Sequence, residues 1–196
     1  MIQIIDFGAG NIQSVKNALK QLGQDYCVVE KATDLKNEGK VVFPGVGAAG
    51  AAMENLRNSG FDEAVRALTV PFLGICLGMQ LLFEFSEEDE CECLGVIGGR
   101  IKRFYGDVKI PQIGWNKVSI SSSDVLFDGI EDYSYFYFVN SYFGKCDDGC
   151  EIASTNYGVN FSSIVRKDNF YGTQFHPEKS GDIGMKLLNN FCELCS

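Results

Sequence analysis

Up to about residue 85, apolar positions switch repeatedly between two spacings. Short β-branched runs at Gln3–Asp6, Tyr26–Glu30, Lys40–Phe43 and Val70–Ile75 predict strands. Between them, Ile12, Val15, Leu19 and Leu22 fall at helical spacing, which predicts a helix over Asn11–Leu22 with Asn11 as N-cap and Gly23 as its stop. Ala48–Leu56 and Phe61–Leu68 predict two more helices, divided by Ser59-Gly60, and Leu77–Phe85 a fourth. Strands that alternate with helices at this spacing predict a parallel sheet covered by helices on both faces.

After residue 90 the alternation gives way to consecutive strand signals at Gly95–Tyr105, Trp115–Ile120, Tyr133–Val139, Ile152–Asn156, Phe161–Val165 and Phe170–Gln174. A closing amphipathic helix is predicted over Gly181–Leu194. The expected class is therefore α/β, a mostly parallel central sheet flanked by helices with an added antiparallel region in the C-terminal half. No linker, repeat or low-complexity stretch divides residues 1–196, so one domain is expected.

The 196 residues carry a net charge of −9, which argues against nucleic acid or an anionic membrane as partner. No basic segment precedes the first apolar run, so no signal peptide is expected. The run from Leu68 to Phe83 holds Pro71, Gly74, Gly78 and Gln80, and reads as strand then helix rather than a membrane span. Eight cysteines in a chain long enough to build a core read as reduced thiols in a cytoplasmic protein rather than a disulfide framework. Cys91–Cys93 and Cys192–Cys195 tempt a zinc reading, but the single histidine lies elsewhere and no metal is expected. The acidic stretch Glu84, Glu87, Glu88, Asp89, Glu90 and Glu92 reads mostly as a solvated face, with Glu88 set apart below.

Three segments carry chemistry. In Gly74-Ile75-Cys76-Leu77-Gly78 a thiol stands where a strand turns into a helix, flanked by glycines two residues away on each side. This is the thiol form of a nucleophile elbow, and the following helix N-terminus stabilises the attacking thiolate. The alternative is a buried structural cysteine. In Gln174-Phe175-His176-Pro177-Glu178 the only histidine sits two residues from a carboxylate that can orient its ring. Pro44-Gly45-Val46-Gly47 is a glycine-rich strand end able to aim amides at an oxyanion, with the Leu77 N–H as a further donor; its alternative is an ordinary turn. Gly8-Ala9-Gly10-Asn11-Ile12-Gln13 lacks the third glycine of a dinucleotide loop and no P-loop occurs, so no nucleotide cofactor is indicated, and none of another kind is expected.

With these residues in view, the chain resembles the class I, triad-type glutamine amidotransferases, and within them the glutaminase subunits of imidazole glycerol phosphate synthase. The resemblance runs through Asp6–Asn11, Pro44–Gly47, Gly74–Leu82, Gly114-Trp115-Asn116, Ser141-Tyr142 and Gln174–Ser180. It implies that Cys76 attacks the glutamine carboxamide, His176 moves the proton and Glu178 holds the ring. Gly45, Val46, Gly47 and Leu77 match the oxyanion site, and Gln80, Glu88, Ser141 and Tyr142 match the residues that hold glutamine. Asn11, Trp115 and Lys179 match a face that docks on a (β/α)₈ cyclase, giving a heterodimer that serves histidine biosynthesis. Gln112 and Asn140 stand where the family usually has histidines, and Phe7 where tyrosine is common.

Those departures leave room for a second acceptor, a surface-glycan sugar amidated by a paralogous system. Other classes stay open from the residues alone: a thiol hydrolase without an ammonia acceptor, a silent regulatory relative, and a zinc-binding module.

Overall fold

The computed structural model describes residues 1–8, 11–147 and 149–195. Ala9 and Gly10, part of the Asp6–Asn11 motif, lie outside the described residues, as do Asp148 and Ser196.

The N-terminal half runs β1 (Ile2–Ile5), α1 (Ile12–Gln21), β2 (Tyr26–Val29), β3 (Lys40–Gly45), α2 (Ala49–Ser59), α3 (Phe61–Arg66), β4 (Phe72–Cys76) and α4 (Leu77–Gln80). The remainder runs β5 (Phe85–Ser86), β6 (Cys91–Glu92), β7 (Gly99–Arg103), β8 (Gln112–Ile120), β9 (Ser134–Asn140), β10 (Tyr142–Cys146), β11 (Glu151–Tyr157), β12 (Val159–Lys167), β13 (Phe170–Thr173) and α5 (Gly181–Leu194). Strands β2, β1, β3, β4 and β13 lie side by side in parallel, and β13 then pairs antiparallel with β12. From β12 the sheet continues antiparallel through β10 to β7, and branches through β11 to β8 and β9. The α/β class and its antiparallel C-terminal region are as the sequence predicts.

Two cores form on opposite faces of the sheet. Val15 and Leu19 of α1 join Leu187, Leu188 and Phe191 of α5 in one, while Met53 and Leu56 of α2 join Phe61 and Val65 of α3 in the other. Strands buried on both faces need unbroken apolar runs, and β4 is buried at all five positions. An aromatic row, Phe7–Phe43–Phe72–Phe170, crosses β3, β4 and β13 with ring centroids 5.0–5.6 Å apart, so Phe7 serves as a core residue.

Several local expectations are corrected. The helix predicted over Leu77–Phe85 is only one turn, because the carbonyls of Leu81, Leu82 and Phe83 accept the N–H groups of Leu94, Ile97 and Gly95 at 2.8–2.9 Å. Tertiary hydrogen bonding overrides a good helical pattern there. The same bonds tie residues 95–97 to the segment just after α4 and shorten the strand predicted from Gly95 to Gly99–Arg103. Asn11 occupies the N-cap position of α1, but its side chain makes no capping hydrogen bond. The acidic run is more than a solvated face: Glu84 accepts from Gly99 N–H, Glu87 from Arg103 N–H, Glu88 from Ala49 N–H and Asp89 from Gly50 N–H. Four exposed or half-buried carboxylates thus stitch this segment to β7 and to the start of α2.

Candidate active site

Parallel β3, β4 and β13 end on one edge, where Gly45 stands beside Cys76 in register and Thr173 beside Ile75. Cys76 closes β4 with φ 55° and ψ −109°, a backbone that disfavours side chains and that the sheet and α4 hold in place. The flanking glycines permit it for steric reasons. A Cβ on Gly78 would sit 1.9 Å from the Phe43 carbonyl oxygen, and one on Gly74 would sit 2.6 Å from the Gly78 oxygen. Gly45 packs its bare Cα side against Leu77 and Gly78, where a Cβ would approach to 3.0 Å.

His176 follows β13 and is pinned by its backbone. Its N–H donates to the Tyr137 carbonyl at 2.9 Å, and its carbonyl accepts from Ser180 Oγ at 2.7 Å. Ser180 Oγ also accepts the Tyr137 N–H at 2.9 Å, which ties the whole turn to β9. The ring's Nδ1 lies 2.8 Å from Glu178 Oε1, and both side chains are almost wholly buried. Burial opposes a charged ring, yet hydrogen bonding to Cys76 and Glu178 and the attraction of both raise the His176 pKa to about 10. Such a ring is an imidazolium at neutral pH, poised to give a proton.

Cys76 Sγ is 3.8 Å from the Val139 carbonyl oxygen and 3.7 Å from Gln174 Nε2. A cavity of about 330 Å³ opens on the thiol, with Val46, Gly47, Leu77, Gln80, Glu88 and Tyr142 among its lining residues. That is at the lower end of the range of about 300–1,000 Å³ for small-molecule sites, suited to an amino-acid-sized ligand. Ser141, His176 and Lys179 also line it, whereas Gly45 does not. Glu88 spends Oε2 on the Ala49 N–H, and burial above all holds its carboxyl above the ordinary range. A larger cleft of about 750 Å³ at Ile120–Gly129 and Leu194 presents no thiol, imidazole or cationic side chain, so its size carries no chemistry.

The residues expected at a docking face fall on one side. Trp115 is 54% exposed on the outer face of β8, packs edge-on against Tyr137 at 6.0 Å, and lies 3.9 Å from where a Gly181 side chain would begin. Ile113 and Tyr135 are similarly exposed on that face, Ile113 directly across from Val139. Asn11 is exposed at the start of α1, which packs against the 177–179 turn bearing Lys179.

Sequence reasoning passed over Gln174, Ser180 and the Val139 carbonyl as parts of this site. Gln174 stood in the histidine segment and in the family-like motif but was given no role; its signal was its place two residues before His176. Gln112 and Asn140, the departures noted in the sequence, are partners across the β8–β9 ladder. Both are buried, and among the described residues Gln112 Nε2 and Oε1 and Asn140 Oδ1 have no hydrogen-bond partner.

Comparisons with known proteins follow the same lines. Structures described as a putative GMP synthase protein from Thermoplasma acidophilum and as PurLQS from Thermotoga maritima share the fold. Their TM-scores are 0.76 and 0.72, at 22% and 18% identity, over 99% and 97% of this chain and 92% and 96% of theirs. Imidazole glycerol phosphate synthase subunit HisH of Methanocaldococcus jannaschii is 46% identical over 99% of this chain and 100% of its own length. The Haemophilus influenzae protein of the same name is 47% identical over 98% and 96%. The family model for glutamine amidotransferase class-I matches residues 3–195. With that match spanning the elbow, the imidazole and its carboxylate, the chain belongs to the class-I glutamine amidotransferase family.

Proposed function

We propose that this chain is the glutaminase subunit of imidazole glycerol phosphate synthase, hydrolysing glutamine and handing ammonia to a partner subunit in histidine biosynthesis. The observation that carries the chemistry is the convergence of Cys76, the His176–Glu178 pair and the amide-lined cavity at one sheet edge. Relatives at 42–47% identity over nearly full length share that subunit's name, which favours it over the surface-glycan alternative.

In the first step the Cys76 thiolate attacks the carboxamide carbon of glutamine. The backbone N–H groups of Leu77 and of Val46-Gly47 stabilise the oxyanion. His176 gives its proton to the departing nitrogen, releasing ammonia and leaving a γ-glutamyl thioester. The ring, now neutral, takes a proton from water, whose oxygen attacks the thioester; thiolate and glutamate result, and the imidazolium is restored. Glu178 orients and compensates the ring throughout. Gln80, Glu88, Ser141 and Tyr142 hold the amino-acid end.

Ammonia diffuses away unless an acceptor is at hand. The partner is a (β/α)₈ cyclase subunit, docked over Trp115, Asn11 and Lys179 in a heterodimer. The outer face of β8–β9 supports this, since Ile113 and Trp115 sit exposed on the strand pair whose Val139 carbonyl faces the thiol. Coupling keeps hydrolysis low until the partner is docked and liganded. No helix among the described residues is long and apolar enough to cross a membrane; a cytoplasmic setting suits the unpaired thiols. The test is glutamate release by the chain alone and with the cyclase. Strong stimulation by the liganded partner is expected, and equal rates would overturn the coupling.

A further inference from the structure

We propose that Gln174 is a further catalytic residue, an amide donor that holds the Cys76 sulfur as thiolate and whose orientation is dictated, through Gln80, by the Tyr142 carbonyl. This rests on the reading of Cys76 as nucleophile and adds a group that reading did not contain.

The polarity of the chain of amides follows from one fixed point. A backbone carbonyl can only accept, so at Tyr142 O, 3.1 Å away, Gln80 must present its NH₂ group. The second hydrogen of that group then goes to Gln174, whose Oε1 lies 2.9 Å from Gln80 Nε2. With its oxygen turned to Gln80, Gln174 has only its NH₂ left for the sulfur, 3.7 Å away. Asn140 Nδ2, 2.9 Å from the same Tyr142 oxygen, takes up that carbonyl's remaining capacity and steadies it. Gln174 is fully buried, so its amide cannot be satisfied by solvent and cannot turn without stranding a polar group.

An N–H donor at sulfur favours the charged form over the thiol. It therefore works in the same direction as the His176 imidazolium, which also hydrogen-bonds to Cys76. Because Gln80 and Tyr142 both line the glutamine cavity, the pieces that grip substrate also fix the donor at the nucleophile. Gln80 has both amide hydrogens committed, which leaves its Oε1 as the group to offer substrate: it accepts from an ammonium or amide N–H and does not bind a carboxylate.

The test is the pH profile of Cys76 alkylation by iodoacetamide in the full-length protein, with the Cys76 peptide followed by mass spectrometry because seven other thiols are present. The charged or titratable groups around the sulfur are His176 with Glu178 behind it, and Glu88, Tyr142 and Lys179 in the cavity lining. All are unchanged in the variants. Gln174→Met keeps the volume and removes the donor. Its profile should move up by about one pH unit, the effect of losing a hydrogen bond to a charged group. Gln174→Glu, which turns an acceptor to the sulfur, should move it further. Superimposable profiles in folded variants would overturn the assignment. If Gln174→Met does not fold, Gln80→Met carries the test: it releases the Gln174 amide, so the profile should again rise, and an unmoved one refutes the relay. Labelling of Cys76 with unshifted profiles removes only Gln174, whereas a Cys76 that takes no label in the parent protein removes the nucleophile and the proposal together.

Discussion

Ser180 Oγ accepts the Tyr137 N–H at 2.9 Å and at the same time donates to the carbonyl of the residue that carries the site's imidazole. One buried hydroxyl thus joins β9, the strand behind the proposed docking face, to the turn that holds His176. Ser180→Ala leaves a buried N–H and a buried carbonyl each short of a bond, at a cost of about 1–3 kcal/mol. Denaturant unfolding should show that loss. Glutamine turnover should drop several-fold, mainly in kcat, since Ser180 bonds to the backbone of the residue that carries the imidazole and to none of the proposed glutamine-holding residues.

His176 is the only histidine, so its ring resonance needs no assignment in a chain without an affinity tag. Its titration should centre near 10. Because Cys76 and Glu178 supply the upward pull, the midpoint should fall in Cys76→Ala and in Glu178→Gln. A ring whose folded pKa exceeds the ordinary 6.5 contributes stability in full below that value and loses it as pH rises towards about 10. Stability against urea should therefore decline across that window in the parent chain, and decline less in either variant. A midpoint near 6.5 in the parent protein would show that the imidazolium is not held by its partners.

Glu178→Gln also tests orientation. The amide preserves the shape but removes the compensating charge beside Nδ1, so glutamine-dependent kcat should fall by about a hundredfold or more. Circular dichroism should be unchanged.

Two glycines of the site separate shape from conformation. Gly78→Ala drives a Cβ into the Phe43 backbone at 1.9 Å, which no side-chain adjustment relieves. It should cost about 3 kcal/mol or more, or prevent folding. Gly47 has φ +104° with open space around its Cα. Gly47→Ala should lose only about 1–3 kcal/mol through backbone strain, while glutamine turnover falls because a loop amide of the cavity is displaced. Thermal melts beside kcat measurements distinguish the two.

Trp115→Ala should weaken association with the proposed cyclase partner by about tenfold or more, as expected of an exposed aromatic anchor. The fold itself should keep its stability, since Trp115 is half exposed. Titration calorimetry or analytical ultracentrifugation reads both components.

Much of this was legible in the sequence, and the parts that were not have physical causes. Helix α5 falls over Gly181–Leu194 as its amphipathic spacing predicts, and β4 ends at the cysteine that the glycine spacing marks. Those signals are local: periodicity, a strand end and a turn that only glycine permits. The one-turn α4 was not legible, because what ends it is a set of carbonyls claimed by residues 94–97, distant in pattern though near in chain. Strand β10 was missed for a related reason. Gly144 weakens its strand signal, yet the glycine is required where a Cβ would meet the Phe83 ring at 2.7 Å. The acidic run looked solvated because charge runs usually are, but each of four carboxylate oxygens meets a backbone N–H from another segment. The role of Gln174 was illegible for the same reason, although the residue stood in the Gln174–Ser180 motif: its worth lies in what faces it across the fold, an amide and a sulfur from separate elements.

The most direct measurement is turnover of the complex with the proposed cyclase partner when this chain carries Cys76→Ala, supplied in turn with glutamine and with ammonium salts. Glutamine should no longer support product formation, while ammonium should support it at the parent rate. Glutamine-dependent turnover that survives the loss of this sulfur would contradict the assignment of Cys76 as nucleophile.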